Sequence, residues 1–162
     1  MKTVKHPPST MVWGCFSAKG RGGLFFVPQK ETMNSVLYIT CIKDHLCAFM
    51  VRHRCKFFLQ DGARPHVSKA TMAVINQKKE ELGFEVIDWP GNSPDLNPIE
   101  NCWNWMKDKL QPLNVTSIQQ LWEETKRLWC TGTPTEYLKK LSDSMPRRLQ
   151  MVVDSNGEMT KY

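Results

Sequence analysis

Between Cys55 and Trp89 the chain reads as strand, helix, strand, and no other stretch restricts its fold as tightly. "CKFFLQD" (55–61) is a short β-prone apolar run, and the glycine and proline of the following "GARPH" stop it. Ser68 to Leu82 then reads as a helix, with Gly83 placed to take a left-handed cap, and "FEVIDW" (84–89) is apolar again. Strands joined by such a crossover lie parallel, with right-handed connection. The expectation is an α/β domain in which Asp61 stands at the carboxyl end of a strand.

The remaining segments attach to this unit. "MVWGCF" (11–16) and "LFFV" (24–27), separated by the glycine-rich "SAKGRGG", predict an antiparallel hairpin. From Met33 to about Val51, the residues Val36, Leu37, Ile39, Ile42, Leu46, Phe49 and Met50 crowd more than one face, which predicts a largely buried helix capped by Asn34 or Ser35. After "PGNSPDLNP" a helix follows with Ile99, Cys102, Trp103, Met106 and Leu110 on one stripe. Its start is well specified: Asn97 is a good N-cap, Pro98 suits the first helical position, and Glu100 falls where it closes a capping box. A further helix from about Ser117 aligns Ile118, Leu121, Trp122, Thr125, Leu128 and Trp129, and 134–153 reads as helix interrupted near Pro146.

At 162 residues the chain fits one domain, 1–162. It has 41% hydrophobic residues and no run long enough to cross a bilayer, so a soluble protein with no membrane partner is expected. The N-terminal "MKTVKHPPST" lacks the apolar stretch of a secretory signal. Six cysteines without paired spacing predict free thiols in a reducing compartment, and Cys41, His45 and Cys47 match no common zinc pattern. A net charge of +6 suits a polyanion such as DNA.

The acids carry the chemistry. Asp61 ends one strand, and the helix bearing Glu100 begins just beyond the carboxyl end of its parallel neighbour, where catalytic groups of open sheets gather. Carboxylate oxygens suit hard Mg²⁺ or Mn²⁺ ions, which take one or two protein acids plus water and substrate phosphate. Each acid also has a purely structural reading. Asp61 before Gly62 can start a turn, Glu100 can serve only as a cap, and Asp95 after Ser-Pro reads as a turn residue. His66 can orient a ligand or serve the turn, and Trp103, Trp105 and Trp122 read as core or partly buried.

"MVWGCFSAKGRGGL", "FLQDGARPH", "IDWPGNSPDLNPIENCWNWMK" and "SMPRRLQMVVDSNGEMTKY" together resemble the catalytic domain of Tc/mariner superfamily transposases, in the Tc-like branch. The resemblance implies an α/β, RNase H-like mixed sheet with flanking helices, a helical C-terminal part, and a triad of acids binding two Mg²⁺ or Mn²⁺ ions. It implies DNA cleavage and strand transfer, with transposon ends and target DNA as partners, a homodimer, a nuclear location and no small-molecule substrate. By motif, Asp61 and Glu100 match the second and third acids, His66, Asn97 and Pro98 support them, and Asp95 lies outside the triad. The Asp61–Glu100 spacing is about one helical turn longer than the family pattern, an insertion near "KKEELG" that is expected to lengthen the helix without moving the acids.

The family's first acid lies on a strand upstream of "MVWGCF" and has no match here; Glu31 and Asp44 are the only acids before Asp61. That strand is the central one of the sheet. The expectation is therefore an N-terminally truncated domain lacking its first strand, with weakened metal binding and no turnover alone. The alternative expectation is a non-catalytic remnant that binds nucleic acid or another protein.

Overall fold

The predicted hairpin forms, and its glycines lie inside the second strand rather than between the two. In the computed structural model, which describes residues 8–87 and 96–154, β1 (Val12–Ser17) pairs antiparallel with β2 (Gly20–Phe26), and the register slips between Gly14 and Phe16. Gly22 belongs to the strand because no larger residue fits. A methyl there would overlap Cys15 Sγ and come within 3.0 Å of Phe49 Cδ2.

The chain then enters one long helical run: α1 (Ser35–Cys41), a π-helical turn at Ile42–Leu46, and α2 (Cys47–His53). Asn34 caps it, accepting the Leu37 N–H at 3.0 Å. The buried stripe is Tyr38, Cys41, Ile42, Leu46, Phe49 and Met50, spaced by threes and fours. The expectation of burial on several faces is thereby corrected, because Val36 and Val51 are exposed. Tyr38 takes the inward position that the apolar residues alone had assigned elsewhere, since a phenol with a partner for its hydroxyl buries well.

β3 (Phe57–Phe58) and β4 (Glu85–Val86) pair parallel, as the strand–helix–strand reading requires. Between them lie a short helix α3 (Arg64–Val67) and α4 (Lys69–Leu82). Ser68 caps α4 by accepting the Thr71 N–H at 3.2 Å, and Gly83 closes it at φ +68°. Both strands are shorter than the apolar runs predicted. Two bonds reach just beyond the paired residues, Glu85 N–H donating to Lys56 O at 2.8 Å and Ile87 N–H to Phe58 O at 2.9 Å. The end of the second run, residues 88 and 89, lies outside the described residues, as does Asp95.

The C-terminal part is helical, as expected: α5 (Pro98–Leu110), a 3₁₀ turn at Gln111–Leu113, α6 (Ile118–Arg127), a π turn at Leu128–Gly132, α7 (Thr135–Asp143) and α8 (Met145–Asp154). The interruption near Pro146 falls between α7 and α8.

The hairpin separates two cores. Trp13 and Cys15 join Tyr38, Ile42, Phe49, Phe58, Ile75 and Phe84 on one side, while Phe16 and Leu24 pack against Cys102, Met106, Leu128, Trp129, Leu138 and Leu141 on the other. Alternate residues thus face opposite layers of helix, the arrangement of a sheet covered on both faces. Trp129 joins the layers, donating from Nε1 to Gly22 O at 2.9 Å and stacking on Trp103 at 5.2 Å. The tryptophans read as core are part-buried, with Trp103 and Trp105 against the second core and Trp122 on Phe26. Among the described residues the two strand pairs form separate two-stranded sheets.

Candidate metal centre

A cavity of about 660 Å³ opens between the two sheets. All of β1 lines one wall, and the segment Phe57–Asp61 lines another. His66, Asn97, Pro98 and Glu100 complete the polar part of its rim. The fold therefore brings Asp61 and Glu100, 39 positions apart in sequence, to one space.

Asp61 stands three residues beyond β3, in the turn that its own side chain makes: Oδ1 accepts the Ala63 N–H at 3.0 Å. The same oxygen lies 2.5 Å from His66 Nδ1. The residue that makes the turn is therefore also on the cavity wall. The bond to His66 holds the Asp61 carboxyl below the usual carboxylate range, against the opposing effect of burial. His66 is the less exposed partner, with 17% of its side chain accessible against 41% for Asp61.

Glu100 is positioned by the start of α5. Pro98 occupies the first helical position, buried, and Asn97 Oδ1 accepts the Ile99 N–H at 3.3 Å. The expected capping box forms only by half. Among the described residues the Glu100 carboxylate accepts no hydrogen bond and forms no ion pair; it is on the cavity wall instead of reaching back to the cap. Burial raises its pKa, Lys107 opposes that, and the charge of Asp61 adds to it.

Two half-buried carboxylates with free oxygens form a hard donor set that repels itself without a cation. In chemistry, though with no third acid beside them among the described residues, they suit a hard cation such as Mg²⁺ or Mn²⁺. Among the described residues no cluster of three or more His, Cys, Asp or Glu side chains could hold a metal, and neither Glu31 nor Asp44 lines the cavity. The thiols play no such part: Cys15 and Cys41 are buried, with burial pushing both up to about 12.

Two participants were not legible as site residues. Tyr38 stacks on the His66 ring at 3.9 Å and 25°, and its hydroxyl donates to Gln60 Oε1 at 2.7 Å. Tyr38 could have been found from its spacing to Cys41 and Ile42; Gln60 has only its place beside Asp61 to mark it.

A family described as DDE superfamily endonuclease matches residues 4–122. The chain is 32% identical over 163 residues to the transposable element Tc1 transposase of Caenorhabditis elegans, covering 99% of this chain and 57% of that protein. It is 34% identical over 158 residues to the Tc3 transposase of the same worm, covering 95% of this chain and 46% of that one. The chain thus spans about half the length of the curated relatives it matches. It superposes on the catalytic domain of Mos1 mariner transposase with a TM-score of 0.79 at 21% identity, covering 94% of this chain and 76% of that one. A pre-cleavage Mos1 transpososome gives 0.79 at 20% identity, covering 99% and 49%. These likenesses speak for the RNase H-like fold.

Proposed function

Because the chain belongs to the DDE superfamily of endonucleases, we propose that Asp61 and Glu100 are two carboxylate ligands of a divalent-metal centre acting on DNA phosphodiesters. The observation that carries the reading is their convergence on one cavity, Glu100 with no partner among the described residues and Asp61 with one oxygen free. Mg²⁺ or Mn²⁺ bound there supplies activation of a water or 3′-hydroxyl and stabilisation of the leaving oxygen. The chain itself holds the two acids in place, Asp61 through His66 and Glu100 through the Asn97–Pro98 helix start, and adds apolar lining from Val12, Phe58 and Trp103.

Two acids are an incomplete centre. β1 and β3 each have one side without a strand partner among the described residues, and both line the cavity. The complete assembly cuts and joins DNA at transposon ends and target, as a homodimer in the nucleus, with the net charge of +6 drawing in the phosphate backbone.

Mn²⁺ titration followed by electron paramagnetic resonance tests the site. The parental chain binds, while Asp61→Asn and Glu100→Gln each lose most of the affinity; unchanged binding in both variants would refute the assignment. A second reading, a non-catalytic DNA-binding module, rests on the net charge of +6. That reading requires duplex binding in EDTA that falls steeply with salt, and fails if none occurs at low salt.

A further inference from the structure

The surroundings of Asp61 form a closed ring of contacts. Gln60, the preceding residue, accepts the Tyr38 hydroxyl at 2.7 Å and donates from Nε2 to the His66 carbonyl at 3.3 Å. Tyr38, 1% exposed, carries the His66 ring on its face, and His66 returns to Asp61 through Nδ1. Helix α3, which bears His66, is itself tied to α4 by the Thr71 hydroxyl donating to Pro65 O at 2.7 Å. Every member is thus held by a neighbour on a different element: α1, α3 and the end of β3.

The direction of the Asp61–His66 bond follows from chemistry. An aspartate carboxylate is ionised at neutral pH and has no proton to give. Nδ1–H of His66 must therefore donate, and it does so to the oxygen that already takes the Ala63 N–H. Both bonds fall on Oδ1, which leaves Oδ2 without a partner among the described residues.

We propose that Tyr38, Gln60 and His66 form a positioning clamp that fixes the rotation of the Asp61 carboxylate, so that it offers a cation Oδ2 alone. The clamp rests on the reading of Asp61 as a metal ligand. It sets a single-oxygen contact where a freely turning carboxylate could chelate with both. Partners that orient a ligand in this way commonly govern metal affinity by about 10- to 100-fold when removed.

Two readouts test it, both on the full chain. The first needs no metal: long-range ¹H–¹⁵N spectra of histidine-labelled protein, with the His66 signals identified by their loss in His66→Asn. The proton is expected on Nδ1, and Tyr38→Ala is expected to release it to the mixture of a free imidazole; a bare Nδ1 in the parental chain overturns the clamp. The second is Mn²⁺ affinity. His66→Ala is expected to weaken it about 10- to 100-fold, and His66→Asn, whose amide N–H can stand where Nδ1–H stood, to recover most of the loss with an unchanged thermal melt. Parental affinity in folded His66→Ala overturns the clamp while leaving the metal reading intact, provided Asp61→Asn abolishes binding. Parental affinity in Asp61→Asn removes the metal reading and the single-oxygen role with it.

Discussion

The same chemical change, carboxylate to amide, is expected to shift stability in opposite directions at the two acids. Asp61 accepts two hydrogen bonds, one at 2.5 Å from His66; its amide still accepts both, but without charge. Hydrogen bonds to a charged group contribute about 1.5–3 kcal/mol and neutral ones about 0.5–1.5 kcal/mol. The Asp61 side chain is 41% exposed, so solvent screening leaves the lower end of that difference, and Asp61→Asn should cost about 0.5–1 kcal/mol. Glu100 has no such bonds to lose. Its half-buried charge is held against desolvation and the nearby charge of Asp61, and Glu100→Gln should be neutral to stabilising by about 0.5 kcal/mol, as expected of a functional group held at a cost to the fold. For a chain of this size each kcal/mol moves Tm by about 2–4 °C. Urea and thermal unfolding in EDTA at neutral pH would measure both. Destabilisation of equal size in the two variants would refute the argument, since it would mean that Glu100 has a structural partner after all.

Three further outcomes follow from the packing. Gly22→Ala should cost about 1–3 kcal/mol by overpacking, and Cys15→Ala in the same chain should recover part of it, because the new methyl collides with Cys15 Sγ; strict additivity in that double-mutant cycle would disprove the contact. Trp129→Ala should lose about 3–5 kcal/mol, with Trp129→Phe retaining more of the stability while giving up the bond to Gly22 O; denaturant titration separates the two. Asn97→Ala removes the acceptor for the Ile99 N–H and should cost about 0.5–2 kcal/mol. It should also weaken Mn²⁺ binding through Glu100, whereas Ser117→Ala, which removes the equivalent cap of α6, should leave metal affinity unchanged.

What the sequence determined by itself is what depends on a few neighbouring residues. Ser68 and Gly83 bound α4, Asn97 and Pro98 start α5, and Ser117 starts α6, because a cap satisfies backbone groups within three or four positions of itself. The parallel pairing of β3 with β4 was equally legible, since the intervening helix permits little else. The motifs around Asp61 and Glu100 carried the family. Tertiary structure decided the rest, because burial and pairing depend on partners far along the chain. It turned Tyr38 inward and Val36 outward on a helix whose apolar residues did not single out one face, and it drew Gly22 into a strand where Cys15 and Phe49 leave no room for a methyl. It also left the capping box half made. Local grammar would have spent the Glu100 carboxylate on its own helix, but the fold leaves it on the wall of the cavity that Asp61 also lines, because what surrounds a side chain is set by elements far along the chain.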